Sequence, residues 1–244
     1  MDAIEVLDVW KKFRIYHDRA YSLKERLIFP HRNRHEDFWA LKGVSLRVPR
    51  GATVGLIGRN GSGKSTLLKI VSRILYPTRG RVRVRGRVST LLELGAGFHP
   101  DFTGRENIYL NASILGLTRR EINGRLEKII EFAELGEFID NPVRNYSSGM
   151  YMRLGFAVAV HVDPDILLID EVLAVGDLPF QEKCLKKIRE FKERGTTIVF
   201  VTHVPRQVAE LCDHAVWLDR GEVRLQGPAA EVARAYAEFV GGVS

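Results

Sequence analysis

The 244-residue sequence contains only two cysteines, Cys184 and Cys212, and neither belongs to a Cys-x-x-Cys pair. This spacing argues against a disulfide framework or a cysteine-rich metal site, so we expect two buried thiols in a reducing compartment. Long apolar runs are also missing, since GFAVAV and TIVFV are far shorter than the roughly 18–20 residues that span a bilayer. The acidic N-terminus MDAIEVLDVW does not have the pattern of a signal peptide. We therefore expect a chain that does not cross a membrane by itself.

The sequence also lacks an internal repeat and a low-complexity linker. Its 244 residues suffice for one α/β domain with a sizeable core and room for a subdomain. Positive charge is in mild excess, with 37 Lys and Arg against 30 Asp and Glu and a net charge of +7. Such an excess is compatible with a nucleic acid, an anionic membrane face or a polyanionic ligand, and it does not choose among them.

Several segments have the alternating or continuously apolar pattern of β-strands. Two of them, 165–170 and 196–203, flank the helical segment LPFQEKCLKKIREFKER, and this strand–helix–strand order predicts a parallel sheet. In 79–88 the valines lie opposite an arginine face, which we interpret as the solvated outer face of a sheet. The predicted strands are 4–10, 44–48, 53–58, 79–88, 165–170, 196–203 and 214–219.

Residues 103–160 are expected to be mostly helical. Capping boxes, in which Ser or Thr is followed three residues later by Glu, occur at Ser22, Thr103 and Thr118. The box at Thr118 opens what we predict to be one amphipathic helix. Its apolar face carries Ile122, Leu126, Ile129, Ile130 and Ala133.

A glycine-rich stretch, GRNGSGKS, follows a buried strand and precedes a helix. It fits the phosphate-loop pattern G-x-x-x-x-G-K-[ST] in the structural context that the pattern requires. The glycines let successive backbone N–H groups turn inward around a phosphate, and the helix N-terminus adds partial positive charge. We expect Lys64 to bridge the β- and γ-phosphates and Ser65 to ligate Mg²⁺. The residues predicted to bind ATP and Mg²⁺ here are Gly58, Arg59, Asn60, Gly61, Ser62, Gly63, Lys64, Ser65 and Thr66.

Polar residues end two of the predicted buried strands. Asp170 closes ILLI and is predicted to complete the Mg²⁺ site, whereas Glu171 points elsewhere and is predicted to polarise the attacking water as general base. His203 closes VFVTH, whose strand should lie beside that of Asp170 and bring the imidazole near the γ-phosphate. The predicted catalytic residues are thus Lys64, Glu171 and His203.

These motifs occur in the order GRNGSGKS, YSSGM, ILLIDE, AVGD and His203, and in this order they resemble the nucleotide-binding domain of ABC transporters over essentially the whole chain. The signature of that family is usually LSGGQ, and YSSGM at 146–150 keeps its serine hydroxyl, a small residue and a glycine at a helix start. The resemblance implies a head-to-tail homodimer in which each signature contacts the ATP held by the other subunit. The residues predicted for this contact are Ser147, Ser148 and Gly149, and Asp177 of AVGD is predicted to touch the partner subunit.

The resemblance also implies the fold. We expect an α/β protein with a P-loop NTPase (RecA-like) core, an antiparallel β subdomain and an inserted α-helical subdomain, all within a single nucleotide-binding domain, 1–244. The core would comprise 1–97 and 161–244, and the helical signature subdomain 98–160.

Further motifs, LLELGAGFHP, TGRENI and HVDPDILLIDEVLAVGD, resemble one branch of the family, the ATPase subunits that export O-antigen, capsular polysaccharide or teichoic acid. Glu93 stands where the family has a glutamine that touches Mg²⁺ or water, and we assign it to the metal site on that basis. The branch implies ATP hydrolysis coupled to export of a lipid-linked polysaccharide. It also implies a separate transmembrane permease in two copies, contacted through the loop 93–102, with Phe98, Arg105 and Tyr109 as candidate contacts. The implied location is peripheral, on the cytoplasmic face of the inner membrane.

The segment 13–39 is longer than the usual hairpin of the family and contains YSLKERLIFP, which predicts a helix over 22–29 that Pro30 ends. We interpret it as a gate-like helix that faces the membrane subunit or the substrate's pyrophosphate, with a surface helix of no special role as the alternative. The family stacks an aromatic residue of this hairpin on adenine. Tyr16 is our prediction, with Trp39 and Tyr21 as rivals.

Two other function classes fit the sequence less well than transport. A nucleic-acid-associated ABC ATPase is compatible with the net charge, but the sequence has neither a coiled-coil interruption nor a second cassette, so no nucleic-acid partner is expected. A subunit that binds ATP without hydrolysing it is disfavoured because Lys64, Asp170, Glu171 and His203 are all present.

Overall fold

The computed structural model describes residues 1–16, 35–92, 94–170 and 176–242, apart from the side chains of Tyr16 and His35. Strands precede and follow a group of helices in the chain. The strands are β1 (Asp2–Tyr16), β2 (His35–Pro49), β3 (Thr53–Ile57), β4 (Arg79–Val84), β5 (Val88–Thr90), β6 (Ile166–Ile169), β7 (Thr197–Thr202), β8 (His214–Asp219) and β9 (Glu222–Pro228). The helices of the described residues are α1 (Lys64–Val71), α2 (Gly104–Ile114), α3 (Arg119–Asn123), α4 (Leu126–Ala133), α5 (Ser148–Val160), α6 (Leu178–Glu193), α7 (Pro205–Leu211) and α8 (Ala229–Gly241), and 3-10 turns lie at Gly136–Phe138 and Val143–Asn145.

Within the described ranges the strands form two sheets. The larger has the order β5-β6-β7-β3-β8-β9, parallel from β5 to β8 and antiparallel at β9. Helix α6 forms the predicted crossover between β6 and β7, and the core strands are buried along their whole length, as both faces of a parallel sheet require. The predicted parallel sheet and P-loop fold class are confirmed.

The smaller sheet is antiparallel, in the order β2-β1-β4, and it confirms the predicted antiparallel subdomain. In β4, Val82 and Val84 pack against the core while Arg79, Arg81 and Arg83 are exposed, which agrees with the predicted arginine face. The prediction of one strand over 79–88 was wrong, because β4 and β5 belong to different sheets. The chain turns at Gly86, where φ is +122° and a Cβ would lie 2.6 Å from Cβ of Asp165.

Helices α2 to α5 lie between β5 and β6 and share a core of their own. The capping boxes at Thr103 and Thr118 are confirmed, with each threonine accepting a hydrogen bond from the backbone N–H three residues later. The box at Ser22 lies outside the described residues. The single helix predicted after Thr118 is two helices, α3 and α4, although the buried face predicted for it includes Ile122 and Ile129 as expected.

Cys184 and Cys212 are both buried and free, as predicted. Burial raises the pKa of each thiol to about 12, so neither thiol is ionised or reactive near neutral pH. None of the helices in the described part of the chain is both long enough and apolar enough to cross a membrane.

The loop after residue 93 packs tightly against α5. A Cβ added to Gly155 would lie 2.6 Å from the backbone nitrogen of Gly95 and 3.0 Å from the carbonyl carbon of Leu94. The Tyr151 hydroxyl donates to the Gly95 carbonyl at 2.9 Å, and the Phe98 ring meets the Tyr151 ring edge-on with centroids 5.1 Å apart. The position of this loop is therefore set by the helix that begins at the signature.

The contact predicts a stability difference between two glycine substitutions. Gly155→Ala should lower the free energy of unfolding by roughly 1–3 kcal/mol, the usual cost of overpacking. Gly136→Ala is the matched control, because Gly136 is exposed and a Cβ there would meet no described atom within 4 Å. Urea denaturation followed by circular dichroism measures both. Equal stabilities of the two variants would contradict the packing described for Gly155.

Candidate nucleotide-binding site

The phosphate loop connects β3 to α1 and is enclosed from two sides. Gly63 adopts φ +105°, and a Cβ there would lie 2.7 Å from the carbonyl oxygen of Ala40 in β2. On the other side, a Cβ added to Gly58 would collide with the carbonyl oxygen of Leu218 at the end of β8. Glycine is required at both positions because backbone from neighbouring strands approaches the loop so closely.

Lys64 is the first residue of α1, and its side chain extends back into the loop. Its ammonium donates to the carbonyl oxygens of Gly58 at 2.7 Å and Arg59 at 2.9 Å, and the residue is 6% exposed. Burial lowers the pKa of Lys64, and the nearby Asp170 carboxylate opposes that shift. The hydroxyl of Ser62 is buried and has no hydrogen-bond partner within the described parts of the chain. A cradle of glycines with a buried cation and an unsatisfied hydroxyl has the chemistry expected of an anion site.

Two oxygen ligands for a divalent cation meet beside the loop. The Ser65 hydroxyl donates to Oδ2 of Asp170 over 3.4 Å. Burial is the main influence on Asp170 and raises its pKa, while the Ser65 hydroxyl and Lys64 favour the ionised form. A hydroxyl and a carboxylate side by side are the hard oxygen donors that Mg²⁺ prefers, so the residues present fit this ion. Glu93, the third predicted ligand, lies outside the described residues.

The parallel register brings the predicted catalytic positions to one edge of the sheet. Ile57 of β3 pairs with Thr202 of β7, and Ile169 of β6 pairs with Phe200 of β7. The residues that follow these strands, among them Asp170 and the exposed His203, therefore emerge beside the phosphate loop, as the sequence predicts. Glu171 follows Asp170 directly but lies outside the described residues.

A cavity of about 320 Å³ opens in front of the loop, between the loop and β2. Its lining includes Phe38 and Ala40, which alternation along the strand places on one side, and Phe38 is 48% exposed. Trp39 packs edge-on against Trp10, with ring centroids 5.6 Å apart, and does not line the cavity. The lining residues are Phe38, Ala40, Asn60, Gly61, Ser62, Gly63, Lys64, Ser65, Thr66 and Asp170.

The side chain of Tyr16 and all of Tyr21 lie outside the description, so the structure does not test the prediction that Tyr16 stacks on adenine. Phe38 is a candidate that the sequence reasoning missed. The available signal was the spacing of two between Phe38 and Ala40 on β2, the strand that packs over Gly63.

The signature forms a second, separate surface. Ser147 caps α5 and accepts a hydrogen bond from the Met150 N–H at 3.2 Å, so Ser148 and Gly149 form the first turn of the helix. Of the atoms that the structure describes, a Cβ added to Gly149 would approach only the Ser147 hydroxyl, at 3.8 Å. Nothing described in the chain requires a glycine here, although glycine costs about 1 kcal/mol relative to alanine inside a helix.

This surface belongs to an open cavity of about 680 Å³. Among the described residues, it shares no lining residue with the cavity at the phosphate loop. Asp177, at the N-cap of α6, also lines it, which places the two elements predicted to contact a second subunit side by side. The lining residues are Ser147, Ser148, Gly149, Met150, Met152, Arg153, Gly176 and Asp177. Together, the fold and these two surfaces define a P-loop nucleotide-binding protein with an inserted helical region.

Comparison with known proteins identifies the family. The ABC transporter family matches residues 41–174, more than half of the chain, and the chain belongs to this family. It is 54% identical to the O-antigen export system ATP-binding protein RfbB of Myxococcus xanthus over 98% of its length, and it spans 56% of that relative. A Klebsiella pneumoniae protein of the same name is 49% identical, with 96% of this chain and 97% of the relative covered.

The teichoic acids export ATP-binding protein TagH of Listeria innocua is also 49% identical, with 95% of this chain and 69% of the relative covered. Among solved structures, an ATP-binding subunit of an ABC transporter superposes with a TM-score of 0.75 at 24% identity over 96% of this chain and 93% of its own. That likeness supports the fold alone. The predicted family is confirmed, and the relatives named for O-antigen and teichoic acids export match the branch that the sequence resembles.

The cavity at the phosphate loop predicts that Phe38 supports the base of the nucleotide. Because stacking of a base on an aromatic ring contributes about 1–3 kcal/mol, Phe38→Ala should weaken ATP and ADP binding about fivefold or more. Phe138→Ala is the matched control, since Phe138 is similarly exposed, at 46%, but lies in a 3-10 turn of the helical region. Calorimetry with each nucleotide measures the effect. If Tyr16→Ala weakens binding and Phe38→Ala does not, the ring that stacks is that of Tyr16.

Proposed function

We propose that this chain is the ATP-hydrolysing subunit of an ABC transporter that exports a lipid-linked polysaccharide of the O-antigen type. The proposed substrate class rests on the 54% and 49% identity to relatives named for O-antigen export. The similar identity to the teichoic acids relative supports that polymer as the alternative substrate. Capsular polysaccharide is the third member of the same chemical class.

The phosphate loop would bind the phosphate groups of ATP. Backbone N–H groups of residues 58–65 and the buried Lys64 ammonium would face the phosphates, and the ring of Phe38 or Tyr16 would support the base. Ser65, Asp170 and Glu93 would hold Mg²⁺, which supplies positive charge that offsets the negative charge developing on the transferred phosphoryl group. Glu171 would take a proton from the attacking water, and His203 would orient the γ-phosphate.

Hydrolysis in this proposal needs two copies. The signature and the phosphate loop line separate cavities, so the residues predicted to contact ATP are divided between two surfaces of one chain. In a head-to-tail homodimer, Ser148 and Gly149 of one copy would meet the γ-phosphate held by the other, and Asp177 would contact the same partner. The absence of a Cβ at Gly149 leaves room for a phosphate at the helix N-terminus. ATP would join the copies, and hydrolysis would release them.

The membrane partner would be a separate permease, in two copies, with the ATPase bound peripherally at the cytoplasmic face of the inner membrane. Phe102 of the predicted contact loop is 41% exposed and available to such a partner. Arg105 and Tyr109 also bond within the chain, Arg105 to Asp140 at 2.8 Å and Tyr109 to Asn123 at 2.8 Å. The gate-like helix predicted over 22–29 lies outside the described residues and remains part of this proposal.

Replacement of the general base tests the two-copy mechanism. Glu171→Gln should reduce ATP turnover about a hundredfold or more, because general-base catalysis contributes on that scale, while ATP binding persists. Since the trapped ATP is not cleaved, this variant should form a stable dimer in ATP, measured by light scattering after gel filtration. Glu182→Gln, on the exposed side of α6, is the control for the loss of one negative charge.

A second substitution shows which surface meets the phosphate. Ser148→Arg in the Glu171→Gln background should abolish the ATP-dependent dimer while calorimetry shows ADP binding by the single copy unchanged. Loss of ADP binding would mean that the signature and the phosphate loop act within one chain, which would contradict the head-to-tail arrangement.

The transport role is tested in the organism that carries this chain. Deletion of the gene should remove the polysaccharide from the cell surface and leave its lipid-linked form inside, and a copy with Lys64→Ala should not restore it. Co-purification from membranes should recover a multi-span permease with the wild-type chain. A normal cell surface after deletion, together with salt-dependent binding to nucleic acid, would favour the alternative function class.

A further inference from the structure

Four side chains of alternating charge form a continuous series beside the signature. The Lys183 ammonium bonds to Glu134 at 2.9 Å, and Glu134 accepts from Nη1 of Arg153 at 3.1 Å. The second terminal nitrogen of Arg153, Nη2, donates to Oδ1 of Asp177 at 2.8 Å. Arg153 is thus the member of the series that joins two carboxylates.

The series connects different parts of the fold. Glu134 ends α4 and Arg153 lies on α5, both in the helical region, whereas Asp177 and Lys183 belong to α6 of the core. Aromatic rings lie beneath the charges, with the Arg153 guanidinium 4.9 Å from the Phe180 centroid. Lys183 lies 4.8 Å from the centroid of Phe132, which meets Phe180 edge-on at 5.8 Å. Both cations therefore bind carboxylates and pack on rings at the same time.

Arg153 also lies at the surface that would receive the second nucleotide. It lines the signature cavity together with Ser148, Gly149 and Asp177. A Cβ added to Gly176 would lie 3.2 Å from Nε of Arg153, so the guanidinium also packs directly on the turn before α6. The side chain is 20% exposed, which shields its ion pairs from solvent more than those of a fully exposed residue.

We infer that Arg153 is a positioning residue for this surface: by bridging Glu134 and Asp177 it fixes the signature helix relative to the turn at Asp177, so that both meet the partner's nucleotide together. The planar guanidinium can bind two carboxylates in fixed directions, which a lysine ammonium cannot do. The inference rests on the proposed head-to-tail dimer. It predicts a loss of ATP-dependent association without a loss of nucleotide binding by the single copy.

The experiment uses the Glu171→Gln chain as parent. Arg153→Gln in that background should raise the ATP concentration for half-maximal dimer formation about tenfold or more, because a small displacement of a contact group has effects of this size or larger. ADP binding by calorimetry should stay within about twofold of the parent, since the phosphate loop is untouched. Lys187→Gln is the matched control, because it breaks the Lys187–Glu190 pair of α6 at 21% exposure, away from the cavity.

Glu134→Gln gives a second test that does not alter the cavity, because Glu134 does not line it. It should weaken the ATP-dependent dimer in the same direction, and the double variant Glu134→Gln, Arg153→Gln should be no weaker than Arg153→Gln alone. Arg153→Lys should retain more of the ATP-dependent association than Arg153→Gln, but less than the parent.

The possible results distinguish a failure of the inference from a failure of the proposed function on which it rests. A Glu171→Gln parent that does not dimerise in ATP overturns the head-to-tail proposal, and the inference with it. A parent that dimerises, together with an Arg153→Gln variant that dimerises at the same ATP concentration, overturns the inference alone. Equal losses of dimer formation and ADP binding would show a general structural role for Arg153, and they would also overturn it.

Discussion

The parallel hydrogen-bonded register of β3, β7 and β6 is the constraint on which the site depends. Because Ile57 pairs with Thr202 and Ile169 pairs with Phe200, three chain segments distant in sequence leave the sheet at one edge. The phosphate loop follows the first of them, and a carboxylate and an imidazole follow the others. The buried strands thus determine where Lys64 and Asp170 meet, and no local feature of the loop alone could place them together.

Both surfaces that contact nucleotide in the proposed dimer present main-chain or small side-chain groups at a helix N-terminus, but they differ in how they are supported. The phosphate loop is enclosed by β2 and β8, whose carbonyl oxygens approach Gly63 and Gly58. The signature turn is open, and in the described part of the chain only the Ser147 hydroxyl lies near the position of a Cβ on Gly149. An enclosed loop can bind a nucleotide by itself, whereas an open turn needs a second body to complete its contacts, and this asymmetry fits a site shared between copies.

Local sequence signals predicted much of this structure. The strand over 214–219 and the capping boxes at Thr103 and Thr118 depend on neighbouring residues, and they were found where the patterns placed them. The errors arose where contacts between residues distant in sequence determine the structure. Residues 79–88 divide between two sheets at Gly86, where the chain packs against Asp165, and the Asp165 carboxylate accepts from the Arg87 N–H, 78 residues away. Phe38 and the ion pairs of Arg153 were missed for the same reason, since their neighbours in space are distant in sequence.

Helix α6 gives the two surfaces a physical connection. Its first turn is capped by Asp177, beside the signature, and its far end leads through β7 to His203, at the edge of the sheet where the phosphate loop emerges. Between these ends the helix is held by Phe180, Cys184 and Phe191, all buried in the core beneath the sheet. A helix packed so closely moves as a unit. A displacement of Asp177 by a second copy would therefore reach the sheet through α6, and the ion pair with Arg153 would extend it to the helical region that the permease is proposed to contact.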